Sequence, residues 1–262
     1  MIPEAAITHW RNVAPWPQDA QVEQDLILSR ALVEIFREPI PAGQLLLRGG
    51  TALHKLFMRP AARYSEDIDL VQASAGPIGP VLDALRARLD PLLGPPRRER
   101  NPENVTLRYR MESEMPPVVP IRLKVEINTR EHFTVFGAAS HSWSVRSPWF
   151  EGRAEVQTYA LEELLATKLR ALYQRRKGRD LFDLWIGIGM KAVEPEKVVQ
   201  AFRRYMDAEG GRVTRADFQR NLAAKVDSRP FNEDLRPLLA PGIRYDASKA
   251  AEGVSRMLLS LL

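Results

Sequence analysis

Apolar and polar positions change rhythm along the chain, and the changes predict its elements. Between Gln18 and Phe36, Val22, Leu26, Ala31, Val33 and Phe36 recur at helical spacing. Pro39-Ile40-Pro41 is expected to stop that helix, because proline lacks an N–H and pushes the residue before it toward extended geometry. Leu45-Leu46-Leu47 is short, wholly apolar and turn-bounded, the pattern of a buried strand. Gly49-Gly50-Thr51 breaks it, Ala52 to Met58 can begin a helix, and Arg59-Pro60 ends it. Asp67 to Val71 reads as a second strand, Ile78 to Leu93 as a helix, and Gly94 to Pro102 as a loop.

A period of two follows. Val105, Leu107, Tyr109 and Met111 alternate with Thr106, Arg108 and Arg110, while Ile121, Leu123, Val125 and Ile127 alternate with Arg122, Lys124, Glu126 and Asn128. Such alternation describes a sheet with one buried and one polar face. From Leu161 the period is helical to the end, interrupted near Gly210-Gly211, Ser228-Arg229-Pro230 and Pro241-Gly242. The expected order is α/β elements first and helices second. The divide is expected near Arg153–Thr158, giving a core domain at 1–155 with an N-terminal helix and a helical domain at 156–262.

Composition narrows the chemistry. The chain has 262 residues and no cysteine, which excludes disulfides, thiol nucleophiles and cysteine zinc sites and suits a reducing, cytoplasmic setting. No basic start with an apolar run, and no stretch of roughly 18 apolar residues, predicts a secretory leader or a membrane span. A net charge of +5 permits a polyanionic partner without demanding one. His9, His54, His132 and His141 show no paired metal-ligand spacing.

Several residues carry candidate chemistry. Gly49 and Gly50 between a strand and a helix allow close approach of a ligand, and the helix-start N–H groups with the Thr51 hydroxyl suit a phosphate, although a plain tight turn has the same sequence. In Ser65-Glu66-Asp67-Ile68-Asp69-Leu70, residues two apart share one strand face, so Asp67 and Asp69 project together while Ile68 and Leu70 face the core. Paired carboxylates repel unless cations lie between them, and Mg²⁺ (or Mn²⁺) takes a few carboxylates together with water and substrate phosphates. Two such ions serve in-line phosphoryl transfer. Glu126 is either a third carboxylate or the partner of Arg122 and Lys124 on its face.

Lys168 falls within the stripe Leu161, Leu164, Leu165, Leu169 and Leu172. It either snorkels to the rim or presents a phosphate-binding charge; in the second case Lys168→Ala should lose activity and stay folded. Asp180 is an N-cap, a partner of Lys168 or Arg179, or a catalytic group. Asp183 is expected to point further toward solvent. Arg170 and the run Arg175, Arg176, Lys177 and Arg179 form one basic cluster, and Arg97, Arg98, Arg100, Arg108 and Arg110 a second. Either is able to track nucleic-acid phosphates or to be simply solvated.

Together these motifs resemble the AbiEii/AbiGii toxin family of nucleotidyltransferases, of the DNA polymerase beta superfamily, over most of the chain. The resemblance rests on His9-Trp10 through Gln21-Val22-Glu23-Gln24-Asp25, on Gly49-Gly50-Thr51-Ala52-Leu53, on Ser65 through Leu70, on Lys124-Val125-Glu126-Ile127, and on Lys168 through Arg179-Asp180-Leu181-Phe182-Asp183-Leu184. It implies that Gly50 and Thr51, with Gly49 and Ser65, hold the triphosphate of an NTP, that Asp67 and Asp69 hold metal, and that Lys168 and Asp180 complete the site. It also implies an α/β (α+β) fold, with a mixed sheet and flanking helices followed by a helical C-terminal domain, and it implies the toxin of a toxin–antitoxin or phage-defence system, with a cognate antitoxin and with tRNA as an acceptor. Transfer onto a protein or small molecule is the enzymatic alternative, and a non-catalytic nucleotide-binding module the other. The adjacent carboxylates argue against the last.

Overall fold

The computed structural model describes residues 2–262. Its contacts gather into two compact units, the first running up to Phe133 and including Ala138–Tyr159, the second made of Thr134–Gly137 and Ala160–Leu262.

The first unit is built on a seven-stranded mixed sheet. Its strands are β1 (Leu45–Arg48), β2 (Asp67–Gln72), β3 (Arg97–Arg100), β4 (Asn104–Glu112), β5 (Pro120–Asn128), β6 (Ala138–Arg146) and β7 (Glu151–Tyr159). The spatial order is β3-β4-β5-β2-β1-β7-β6. Pairs β2–β5 and β1–β7 are parallel and the rest antiparallel. Its helices are α1 (Glu4–Trp10), α2 (Asp19–Arg37), α3 (Pro39–Gln44), α4 (Gly49–Ala52) and α5 (Gly79–Leu93). The prolines do end α2, but Pro39 then opens α3, since a missing N–H costs nothing in a first helical turn.

Ile68 and Leu70 of β2, Val125 and Ile127 of β5 and Leu107 of β4 are all fully buried on one sheet face. The Tyr109 hydroxyl, on the same face, donates to Asp90 of α5 at 3.1 Å, so α5 covers this side. The Gln24 amide of α2 donates to the carbonyls of Glu66 and Arg122 at 3.3 and 2.8 Å and thereby ties the starts of β2 and β5 together. The alternate residues of β2 and β5 are left on the polar face.

Two expectations need correction. Arg97–Arg100, read as loop, is an edge strand, and its exposed arginines gave no alternation because nothing there is buried. Strands β6 and β7 gave no signal, and Arg153–Thr158 lies inside β7. In β6 only Trp143 and Val145 are buried. In β7 the inward positions are small (Gly152, Ala154, Val156, Thr158), so hydropathy barely alternates.

The second unit is helical: α6 (Leu161–Gln174), α7 (Gly178–Ile188), α8 (Pro195–Ala208), α9 (Arg215–Val226), α10 (Arg229–Glu233) and α11 (Ala247–Met257). Fully buried Glu163 of α6 accepts the N–H groups of Val135 and Phe136 at 2.8 and 3.0 Å and the Tyr205 hydroxyl of α8 at 2.9 Å. These bonds fix Thr134–Gly137 in this unit. Lys225 of α9 donates to the carbonyls of Leu172 and Tyr173, two of the end groups that α6 cannot satisfy internally. Burial there pushes the lysine down to about 8.

Candidate active site

The register of the sheet assembles the polar cluster of the first unit. Asp67 pairs with Lys124, and Asp69 with Glu126 on one side and Arg48 on the other. Cross-strand partners share a face, so Asp67, Asp69, Lys124 and Glu126 lie together. The Lys124 ammonium sits between two of the carboxylates, 3.1 Å from Asp67 Oδ2 and 3.6 Å from Glu126 Oε2. Of the two alternatives for Glu126, the structure shows the ion pair with Lys124, on the strand face that Asp67 and Asp69 also occupy. Burial pushes the Asp67 carboxyl up to about 6, Lys124 works against this, and the neighbouring Asp69 and Glu66 charges add to it. The cluster is short of positive charge.

The glycine turn forms the β1 flank. Gly49 has φ +77°, a left-handed conformation, and a Cβ there would meet Asp69 Oδ2 at 2.4 Å. A Cβ on Gly50 would meet the Arg63 guanidinium at 2.3 Å and Ser65 Oγ at 3.0 Å. The main chain is thus free of side chains where it passes the carboxylates. Gly49→Ala is expected to cost about 1–3 kcal/mol and to displace Asp69. Gly43→Ala, where a Cβ meets nothing within 4 Å, should be neutral by comparison. Urea denaturation of the two variants compares them, and equal midpoints would contradict the close packing of Gly49 on Asp69.

The Thr51 side chain is differently employed from the sequence expectation of a phosphate-facing hydroxyl. It is buried and donates to the Asp67 carbonyl at 2.5 Å, with Ser65 Oγ 2.9 Å away. Thr51 and Ser65 thus pin the turn to β2 and set its distance from the carboxylates. Helix α4 begins at Gly49 itself and continues as a π-turn, Leu53–Phe57. That turn directs Lys55 to Asp25 at 2.6 Å, a buried pair that also takes in Ser29. Asp25 in turn accepts the indole N–H groups of Trp10 and Trp16 at 2.9 and 3.0 Å. No periodicity argument finds Lys55, Arg63 or the bridging position of Lys124, because each depends on a partner distant in sequence.

In the second unit Lys168 neither snorkels nor stands open. Its ammonium is 3.2 Å from Asp180 Oδ1 and 2.9 Å from Asp183 Oδ2, with side-chain exposures of 7%, 0% and 0%. Asp183, expected nearer solvent, is fully buried: helical phase reported its angle from the leucines but not the lysine waiting there. Asp180 is not the N-cap of α7, which is Lys177; it lies in the first helical turn. Arg175 grips it with two bonds, Nε to Oδ2 at 2.7 Å and Nη2 to Oδ1 at 2.9 Å. Burial alone would raise the Asp180 carboxyl, but Lys168 and Arg175 together outweigh it and hold it below the ordinary aspartate range. In the basic run, Lys177 is 3.1 Å and Arg179 3.9 Å from Asp234, while Arg176 is exposed.

A family model described as the nucleotidyl transferase AbiEii toxin, type IV toxin–antitoxin system, matches residues 30–252. The chain belongs to the AbiEii family. Nucleotidyltransferases of this kind use an NTP and a divalent metal, and the AbiEii family implies an antitoxin partner. Among solved structures, the AbiEii fold seen here is similar to MenT4, a nucleotidyltransferase toxin from Mycobacterium tuberculosis. The TM-score is 0.69 at 16% identity, covering 100% of this chain and 91% of that one. JHP933 from Helicobacter pylori is similar at a TM-score of 0.58 and 18% identity, covering 93% and 92%. At such identities the likeness concerns the fold. No curated protein matches the chain by sequence. No helix among the described residues is long and apolar enough to cross a membrane.

Proposed function

We propose that this AbiEii-family nucleotidyltransferase transfers a nucleoside monophosphate from an NTP to the 3′ end of tRNA, with Mg²⁺ or Mn²⁺ held by Asp67 and Asp69. The observation that carries the reading is the pair of aspartates facing one way beside a glycine turn that a Cβ would obstruct. Among the described residues no three His, Asp or Glu side chains gather closely enough to hold an ion alone. That fits Mg²⁺, which is satisfied by one or two carboxylates plus phosphate and water ligands. The residues present fit in a second way, since the Lys124 ammonium already lies where the carboxylates call for positive charge.

When bound, the metal would neutralise charge on the phosphates and lower the pKa of the attacking hydroxyl. The chain's own residues do the rest. Asp67 and Asp69 fix the charge on one strand face, which Glu126 shares through its ion pair with Lys124. The Gly49-Gly50 backbone, held by Thr51 and Ser65, gives the triphosphate room. The acceptor oxygen bonds to the α-phosphorus, the α–β anhydride bond breaks, pyrophosphate leaves, and the hydroxyl proton passes to a carboxylate or to water.

The deciding assay supplies each α-labelled NTP with divalent metal and either total tRNA or protein extract. Label on tRNA is the expected result; label on protein would replace the acceptor, and no metal-dependent label anywhere would end the transferase reading. Lys124 gives a further expectation. As an ammonium competing for the same carboxylates, its removal in Lys124→Ala should tighten Mn²⁺ binding about tenfold, or ~1.4 kcal/mol. Calorimetric titration measures this, and unchanged or weaker binding would mean that Lys124 does not compete.

A further inference from the structure

The carboxylates of β2 lie between two unlike flanks. On the β1 side is the glycine turn. On the other side the polar face continues over β5, β4 and β3, and there it turns basic. Arg108 is the cross-strand partner of Lys124 and Arg97 the partner of Arg108, which forms one row leading away from Asp67. Arg110 and Arg122 face each other one step further along the same face. Like charges directly opposite one another destabilise a sheet. Glu99 relieves the first row, at 2.9 Å from Arg108 and 3.5 Å from Arg97. Arg110 and Arg122 are exposed and have no ion-pair partner among the described residues. Glu99 feels the Arg110 charge from a distance, but among the described residues neither guanidinium is closed by a salt bridge, so both are open to an anion from outside the chain.

We infer that Arg97, Arg108, Arg110 and Arg122 form the track on which the phosphates of the acceptor strand lie as its 3′ end reaches the carboxylates. The inference rests on the reading of the site as transfer to RNA and says where that RNA runs. The geometry gives the direction. If the glycine turn takes the triphosphate, an acceptor hydroxyl in line with the leaving pyrophosphate comes from the opposite flank, over β5. Arg122 lies four residues from Glu126 along β5, about 13 Å, and β4 is two strand spacings from β2, about 10 Å. Those spans suit the last few nucleotides rather than the body of a folded RNA. The guanidinium fork matches phosphate oxygens and carries no base preference. Arg175, Lys177 and Arg179 are paired with carboxylates, as Arg97 and Arg108 are with Glu99, so what distinguishes the sheet face is the pair Arg110 and Arg122, which form no salt bridge among the described residues.

The test uses the full chain with fluorescein-labelled total tRNA in EDTA, so that binding is read without transfer. Arg110→Gln/Arg122→Gln should weaken tRNA binding about tenfold or more at 0.1 M salt. It should also reduce the slope of log K against log salt by about 1.4–1.8, because each of the two lost phosphate contacts removes roughly 0.7–0.9. Binding of a fluorescent NTP should stay within twofold. Arg212→Gln/Arg215→Gln, an exposed pair elsewhere on the chain, should leave tRNA binding nearly unchanged. The inference fails if the β4/β5 variant binds tRNA as the wild type does, if the control pair loses as much, if NTP affinity falls in parallel, or if polyglutamate competes as well as RNA. Arginine-dependent tRNA binding without any label transfer to tRNA would keep the track and discard the proposed reaction. Label transfer that is indifferent to these arginines would do the reverse.

Discussion

Replacing Asp67 and Asp69 together by alanine is expected to abolish nucleotidyl transfer, by a factor on the order of a thousand or more, while the protein melts within a few degrees of the wild type. A thousandfold corresponds to ~4 kcal/mol of transition-state stabilisation, the scale on which a bound metal acts in phosphoryl transfer. Stability should survive because ionised Asp67 is not a favourable group in the folded state: burial already pushes its carboxyl up to about 6. Lys124 would keep Glu126 as a partner. Asp67→Asn/Asp69→Asn preserves shape and should be equally inactive, which separates charge from packing. Labelled-NTP incorporation beside a thermal melt measures both. Activity above a few per cent in either double variant would remove the aspartates from the chemistry.

The second large effect is on folding. Lys168→Ala is expected to destabilise the protein by about 3–5 kcal/mol, because it takes the ammonium from two carboxylates that are both fully buried. The midpoint should fall on the order of 10 °C or more. This alters the expectation from sequence that the variant stays folded and merely loses turnover. Lys168→Met/Asp183→Leu should be less destabilised than Lys168→Met alone, since it also removes one of the stranded carboxylates, while Asp180 retains Arg175. Chemical denaturation of the set gives the answer. A loss under about 1 kcal/mol for Lys168→Ala would show that the cluster does not hold α6 to α7.

Much of the geometry of the candidate site was legible because a strand places its side chains by spacing alone. Asp67 and Asp69 had to share a face, and Ile68 and Leu70 had to face the core; the register then added Glu126 as a neighbour. What stayed hidden depends on partners that period counting cannot see. Asp183 reads as solvent-facing until Lys168 is placed against it. Thr51 reads as a ligand for phosphate until the Asp67 carbonyl is found to accept its hydrogen bond. The strands β6 and β7 failed for another reason. Their inward residues are small or few, so burial there leaves no hydrophobic trace. The family resemblance reached the fold where alternation did not, because motif order survives where hydropathy is flat.

The short stretch Thr134–Gly137 has a practical consequence. Its amides close on Glu163, yet its neighbours on both sides, Phe133 and Ala138, belong to the sheet unit. The backbone therefore enters the helical unit, returns, and enters it again, so no single scissors cut releases both halves whole. A fragment starting at Ala160 would carry a carboxylate deprived of two amides, and one ending at Tyr159 would trail an unanchored loop. Expression of either half alone should give poorly folded material, and complementation in trans would need the loop grafted onto the helical piece.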